Sequence, residues 1–512
     1  MPPITRRTFL KTSAVATTMS TLGAAGMPGN GARKNVLFIG VDDQNTSLGC
    51  YGASYVHSPN LDALAKRGTR FAKNYCQYPW CGPSRASLMT GMAPDTTKIY
   101  DLNTRVRDTM PNAVTLGQLF RKDGYTSMRV GKIYHQNVPE GIGQDGLDDG
   151  PTWDYTFDPD GEDHLKDEPL VVFPTPGNGA NNGGAKNGKK PHLGSTLAFY
   201  ESPSGDEVMT DSKGADEVIR LLRTNTGKQK PFFLAYGLYR PHVPWIVPKT
   251  YFEMYPLDKV RYREFDPAEL TQAPPPAYTS HHANYGMDEA HCREAIAAYS
   301  ASTTFMDAQV GRVLAELKTL GLEDKTIVVF WADHGWCLGE HGQWQKEVLF
   351  EAATHVPLIF AGPGVAPGAV CERTVEHLDI YPTLVELCGL GGAPQGLHGA
   401  SLVPLMGGDD AKWDRASITQ VFRPAREEGR ETGYTIRTER YRYTSWQGGV
   451  VGDELYDYQT DPREVKNMAA AAEMQPVKAE LRAKLESVTL ARGRTIALGT
   501  MAPGIAAVST GV

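Results

Sequence analysis

Asn35-Val36-Leu37-Phe38-Ile39-Gly40-Val41 is a short unbroken apolar run that stops at two carboxylates, Asp42 and Asp43. A strand with one wet face alternates apolar and polar residues; a run without alternation is buried on both faces, as in a parallel sheet covered by helices. Comparable runs recur at Gly124–Val130, Lys230–Tyr236, Lys325–Trp331 and Val356–Phe360. Helical patterns lie between them, over Pro59–Gly68, Ser84–Thr90, Val114–Asp123, about Glu289–Leu320 and Asp379–Leu387. This alternation predicts an α/β fold with a large, mostly parallel sheet sandwiched by helices. In such sheets ligands gather at the carboxyl ends of the strands, which singles out Asp42-Asp43 and Asp333-His334.

The texture changes after about Gly407. Thr435–Thr438 and Tyr441–Thr444 read as a hairpin, and a Lys/Glu-rich helix follows near Val477–Val488. The expected organisation is therefore a catalytic domain over 33–407 and a small C-terminal α+β subdomain over 408–512. The stretch from Gly161 to Gly194, with Asn181-Asn182-Gly183-Gly184 at its centre, reads as an exposed insertion. Ahead of the fold, Arg6-Arg7 precede a mild apolar stretch rich in Ala, Thr and Ser. That pattern resembles a bacterial twin-arginine export signal, so residues 1–32 are excluded from the fold. It implies the twin-arginine translocase as a partner, folding before export, and a periplasmic or secreted location.

Other classes are disfavoured. No run approaches the roughly 20 apolar residues that span a bilayer, so no integral membrane segment is expected in the mature chain. A net charge of -7 gives no global basic footprint for nucleic acid, so a polyanionic substrate needs a local basic pocket. The 7 cysteines are odd in number and form no CxxC pair, which supports neither a dense disulfide framework nor a zinc knuckle.

Cys81-Gly82-Pro83-Ser84-Arg85 sits directly ahead of a helical pattern. The string resembles the C-x-P-S-R signature of type I sulfatases, members of the alkaline phosphatase-like superfamily in which this cysteine is oxidised to formylglycine. The resemblance extends over nearly the whole mature chain and is nearest to the iduronate-2-sulfatase branch. It is carried by Asp95–Asp101, by Gly131-Lys132-Ile133-Tyr134-His135 and by Arg240-Pro241-His242-Val243-Pro244, then by Asp333-His334-Gly335-Trp336 and Leu338-Gly339-Glu340-His341-Gly342.

The chemistry is coherent with that resemblance. A thiol is a poor nucleophile toward a sulfate ester, whose sulfur is shielded by negative oxygens. An aldehyde made from Cys81 hydrates to a geminal diol; one hydroxyl can attack sulfur and the other can later expel sulfate as the aldehyde reforms. Three carboxylates, Asp42, Asp43 and Asp333, plus a neutral donor, His334, suit a hard divalent cation. The resemblance implies one calcium ion held by these four and by the modified Cys81, with magnesium as the alternative. Arg85 and Lys132 are expected to neutralise charge on the sulfate and the diol. The resemblance places His135 to take the second hydroxyl's proton, and His242 and Lys346 to bracket the leaving oxygen, one of them as proton donor. Trp344 reads either as an aromatic wall for a sugar or as core. Tyr100, Asp101 and Asn103 read either as sugar contacts or as a turn.

The function implied is hydrolysis of the sulfate ester of a sulfated oligosaccharide, at a 2-O-sulfated uronic acid. A cytoplasmic formylglycine-generating enzyme is the implied maturation partner, and the calcium site is expected to fill after export. The competing enzyme reading is a phosphodiesterase or phosphonate monoester hydrolase on the same scaffold. A glycan-binding module with a relic site requires loss of the nucleophile, an acidic ligand or the arginine, and all are present.

Overall fold

The computed structural model describes residues 33–164, 170–174, 193–409, 412–424 and 430–495. The expected export signal, and the centre of the insertion between Gly161 and Gly194, lie outside the described residues.

One sheet has eight strands. They are β1 (Asn35–Val41), β2 (Gly68–Tyr75), β3 (Thr126–Gly131), β4 (Tyr155–Phe157), β5 (Phe232–Gly237), β6 (Thr326–Ala332), β7 (Leu358–Ala361) and β8 (Ala369–Glu376). Their spatial order is β8-β2-β7-β6-β1-β5-β3-β4. Neighbours run parallel except at β7, which is antiparallel to both β2 and β6. The mostly parallel sheet read from the sequence is thus what forms.

The unbroken apolar run of β1 has a simple cause: each face of the strand feeds a different core. Val36 and Phe38 pack in one cluster with Leu88 and Met89 of the helix Cys81–Thr90, and with residues of Leu116–Lys122 and Ile380–Cys388. Leu37, Ile39 and Val41 pack on the opposite side with the helices Pro59–Arg67, Thr210–Asn225 and Glu289–Thr319. Full burial of each such side chain contributes roughly 1.5–3 kcal/mol, so a polar residue at any of these positions is costly.

A second sheet lies toward the C-terminus: β9 (Ser417–Pro424), β10 (Arg430–Arg437), β11 (Tyr441–Trp446) and β12 (Gly452–Asp457), all antiparallel in sequence order. The helix Gln475–Ala491 covers one face through Leu481 and Leu485. The other face joins a cluster in which Val421, Trp446 and Tyr456 meet Tyr78, Leu349 and Phe350. Buried ion pairs reinforce this junction, Arg442 with Glu351 and Glu464, and Arg492 with Glu376. Among the described residues, no helix is long and apolar enough to cross a membrane.

Candidate active site

Three strands of the central sheet deliver the site, β6 and β1 side by side and β3 one strand further on, beyond β5. β1 ends into Asp42-Asp43, β6 into Asp333-His334 and β3 into Lys132. Gly131 and Gly237 face each other at the ends of β3 and β5; a Cβ on Gly131 would lie 2.1 Å from the Gly237 carbonyl oxygen, and one on Gly237 would lie 2.0 Å from that of Lys132. Only glycine allows the strand ends to approach so closely at the point where Lys132 leaves the sheet. Cys81 enters from the side, as the first residue of a ten-residue helix that is buried throughout. A Cβ at Gly82 would lie 2.5 Å from the Asp101 carbonyl oxygen, so glycine next to Cys81 lets the 101–104 turn close over the helix start.

Three carboxylates and three cations then interlock. Lys132 Nζ donates to Asp42 Oδ2 at 2.5 Å and Lys346 Nζ to Asp43 Oδ1 at 2.7 Å. Arg85 Nε donates to Asp333 Oδ2 at 2.8 Å and Arg85 Nη2 to Asp42 Oδ1 at 3.2 Å. Burial alone raises a carboxyl pKa, yet Lys132 and Arg85 outweigh it and hold Asp42 well below the usual range. Asp43 has Lys346 but also two carboxylate neighbours, and burial pushes it up to about 8. Burial pushes Asp333 up to about 6.

Ligand atoms of Asp42, Asp43, Cys81 and His334 all lie within 4.8 Å of one another. Asp333, the fifth expected ligand, stands beside them, its Oδ2 3.6 Å from His334 Nε2. Two features fit a hard divalent cation here. Asp43 Oδ2 is buried without a hydrogen-bond partner, and carboxylate oxygens dominate the donor set. His334 Nδ1 lies 3.0 Å from the Gly335 carbonyl and donates to it, which leaves the Nε2 lone pair facing the cluster. Sulfur is the donor that fits such an ion least. Cys81 Sγ sits 3.2 Å from His334 Nε2 and 3.5 Å from Lys346 Nζ, and burial with Asp42 nearby pushes its thiol well above the ordinary value. The unmodified side chain is therefore a protonated thiol, a poor nucleophile and a poor ligand here.

The histidines are neutral. Burial and nearby lysines push His242 well below 6.5 and His135 down to about 3. His242 Nδ1 donates to the Val243 carbonyl at 2.5 Å, and its Nε2 faces Asp43 Oδ2 at 3.7 Å. His135 Nε2 donates to Asn137 Oδ1 at 3.0 Å, leaving a buried Nδ1 with no partner. Burial opposes the charge of Lys346, but Asp43 and Asp42 more than restore it, so Lys346 keeps its proton. Of the two groups expected to bracket the leaving oxygen, Lys346 is the one that holds a transferable proton at neutral pH.

The structure corrects the expectation for Arg85 and separates the alternatives left open at Trp344, Tyr100, Asp101 and Asn103. Arg85 does not offer a free guanidinium to a sulfate: besides its two carboxylates, Nη1 donates to the Lys132 and Ile133 carbonyls at 2.7 and 3.2 Å. It fixes the carboxylate array. Trp344 is fully buried, packs with Trp245 and Trp336, and donates from Nε1 to Asn284 Oδ1 at 3.2 Å, so it is core and not a sugar wall. Asp101 forms a turn, accepting from the Asn103 and Thr104 amides at 2.8 Å each, while Asn103 is exposed. Tyr100 stacks on Phe422 at 4.2 Å and donates to Asp95 Oδ1 at 3.2 Å.

Sequence reading missed the residues that hold the His242 loop. Arg240 is fully buried, pairs with Asp163 Oδ2 at 2.7 Å, and donates from Nη1 to the His242 carbonyl at 2.9 Å. Asp211 accepts the Tyr239 and Arg240 amides at 2.8 and 3.0 Å. Its partners are 28 and 29 residues away, and no local spacing signals them.

Residues 34–390 match the family model described as Sulfatase, and residues 339–491 match one described as N-sulphoglucosamine sulphohydrolase, C-terminal. The chain is 33% identical over 453 residues to a sulfatase of Formosa agariphila, covering 85% of this chain and 83% of that protein. It is 32% identical over 515 residues to the iduronate 2-sulfatase of Homo sapiens, covering 85% of this chain and 90% of that protein. Among solved structures, a phosphonate monoester hydrolase of Agrobacterium radiobacter shares the fold with a TM-score of 0.72 at 23% identity, covering 90% of this chain and 96% of that one.

Proposed function

The chain belongs to the sulfatase family, and from that premise we propose that it hydrolyses the 2-O-sulfate ester of a uronic acid residue in a sulfated oligosaccharide. The observation that carries the reading is the convergence of Asp42, Asp43, Cys81 and His334 within 4.8 Å, with Lys132 and Lys346 bonded to two of those carboxylates. A bound divalent cation, calcium in this reading, supplies Lewis-acid polarisation of a sulfate oxygen. Asp42, Asp43, Asp333 and His334 would hold it. Oxidation of Cys81 to formylglycine replaces sulfur by oxygen, which suits both that ion and attack on sulfur.

The remaining work falls to this chain's own side chains. Arg85 keeps Asp42 and Asp333 ionised and oriented. Lys132 and Lys346 neutralise the anion, and the helix beginning at Cys81 presents its N-terminus to it. Lys346 donates the proton that an alkoxide leaving group needs. His135, with a bare Nδ1, accepts a proton during release of sulfate. Maturation of Cys81 by a cytoplasmic formylglycine-generating enzyme, export by the twin-arginine translocase and filling of the cation site outside the cytoplasm belong to the same proposal.

Sulfate release from a panel of defined sulfated disaccharides tests the reading. It expects 2-O-sulfated uronates to be turned over fastest; preference for a neutral or amino sugar sulfate would refute the substrate assignment. The fold shared with a phosphonate monoester hydrolase supports a second reading, distinguished by the relative turnover of a sulfate ester and a phosphate diester.

A further inference from the structure

Among the described residues, the buried guanidinium groups are ion-paired. Arg85, Arg129, Arg240, Arg442 and Arg492 each meet at least one carboxylate. Arg423, half-buried on β9, does not. Among the described residues it forms no ion pair. Its Nη2 donates to the Glu347 backbone carbonyl, its Nε is buried without a partner, and its guanidinium carbon lies 5.7 Å from the Trp446 ring centre. Burial disfavours its charge, and Glu347, the nearest acidic influence, only partly offsets this. Desolvating a cation without an anion in contact is costly, and Arg423, half-buried with no contacting carboxylate among the described residues, points to a partner that arrives from outside.

The position says which partner. Glu347 follows Lys346 directly, and its amide donates to the Pro79 carbonyl at 3.1 Å, two residues before Cys81. Gln345 and Glu347 flank Lys346 with φ of 86° and 67°, a left-handed backbone that non-glycine residues adopt only under constraint. Arg423 is thus anchored to the segment that presents Lys346. Its neighbour Phe422 stacks on Tyr100, and Arg423 itself retains partial exposure. A planar fork of N–H donors matches a planar carboxylate better than a tetrahedral sulfate.

We propose that Arg423 is a specificity-determining residue that binds the carboxylate of the sulfated uronate ring while Lys346 faces the ester on the same ring. This rests on the function proposed above and deepens it. The C-terminal sheet then contributes directly to substrate choice.

The test compares wild type, Arg423→Gln and Arg423→Lys on a 2-O-sulfated uronate disaccharide and on the same disaccharide with that carboxyl reduced to the alcohol. Melting temperatures establish that each variant is folded. Arg423→Gln should raise KM for the uronate about 10- to 100-fold, the range of a charged hydrogen bond, while changing KM for the reduced sugar at least ten times less. Arg423→Lys should fall between. Equal losses on both sugars, or losses confined to kcat, would mean that Arg423 only supports the Lys346 segment and would overturn the proposal. So would a wild type that does not distinguish the two sugars. If wild type cleaves an aryl sulfate but neither disaccharide, the uronate reading itself fails and takes this inference with it. Uronate turnover with an indifferent Arg423→Gln sinks this inference alone.

Discussion

Cys81 Sγ lies 3.2 Å from His334 Nε2, and both side chains are closed off from solvent. The contact joins the start of a helix to the end of a central strand, and it places the reactive side chain inside the carboxylate cluster. Replacement of Cys81 by Ala removes the nucleophile without disturbing the packing. Turnover should fall by about 10⁴-fold or more, with an unchanged melting temperature. Retained activity in Cys81→Ala, measured by sulfate release, would rule out covalent participation of this residue.

Arg85 is placed to hold the array together. Arg85→Ala leaves Asp42 and Asp333 buried beside each other without their shared cation. The expected loss is about 3–5 kcal/mol in urea denaturation, together with weakened cation binding. Arg85→Lys should recover little, because one ammonium cannot reach both carboxylates and the strand-end carbonyls. An Arg85→Ala protein as stable as wild type would show that the network contributes little.

The cation site predicts sensitivity to chelation. Treatment with a chelator should lower both activity and melting temperature, and calcium should restore them better than magnesium. Asp43→Asn should reduce cation affinity, read by calorimetry in the folded protein. No change in melting temperature on chelation would argue against a resident ion.

Lys346 as proton donor makes a leaving-group prediction. Lys346→Ala should cost roughly 10²- to 10⁴-fold on an alkyl sulfate, whose alkoxide leaves badly. The loss should be much smaller on an aryl sulfate, whose phenolate needs little protonation. Equal losses on both would assign Lys346 to binding alone.

His377 gives a stability prediction independent of catalysis. It is fully buried, neither ring nitrogen has a partner among the described residues, and burial pushes it down to about 3. Between about pH 6.5 and pH 3 the unfolded chain binds a proton there that the folded protein excludes. The stability that the neutral ring allows is present above pH 6.5 and declines as pH falls through that window, by up to about 1.4 kcal/mol per pH unit. His377→Gln should flatten the low-pH limb of the stability curve; an unaltered limb would contradict this.

Much of this was legible in the sequence because the central strands are apolar without interruption. β1 was read to the residue, and Asp42-Asp43 followed as strand-end ligands. The helix read as 289–320 ends one residue earlier, at Thr319. β2 and β8 were not read as strands: β2 carries Arg70, Lys73 and Asn74, and β8 lies at the sheet edge with Val370 and Glu372 exposed. Their strand character depends on pairing with each other across about 300 residues of chain. The sequence pattern predicts a helix only from Ser84, because Cys81-Gly82-Pro83 has poor helix propensity. Tertiary burial of all ten residues overrides that. The structural role of Arg85 is not legible in the sequence, since its carboxylate partners lie 43 and 248 residues away. Arg423 gave no signal at all, for its importance lies in what does not surround it.

The central claim is that the side chain at position 81 reacts as a hydrated aldehyde and not as a thiol. Peptide mass spectrometry of the purified, active protein tests it most directly. The peptide containing residue 81 should be lighter than the cysteine form, by loss of one sulfur and two hydrogens and gain of one oxygen, and should be captured by a hydrazide. A fully active preparation in which that peptide carries an intact, alkylatable thiol would contradict the account.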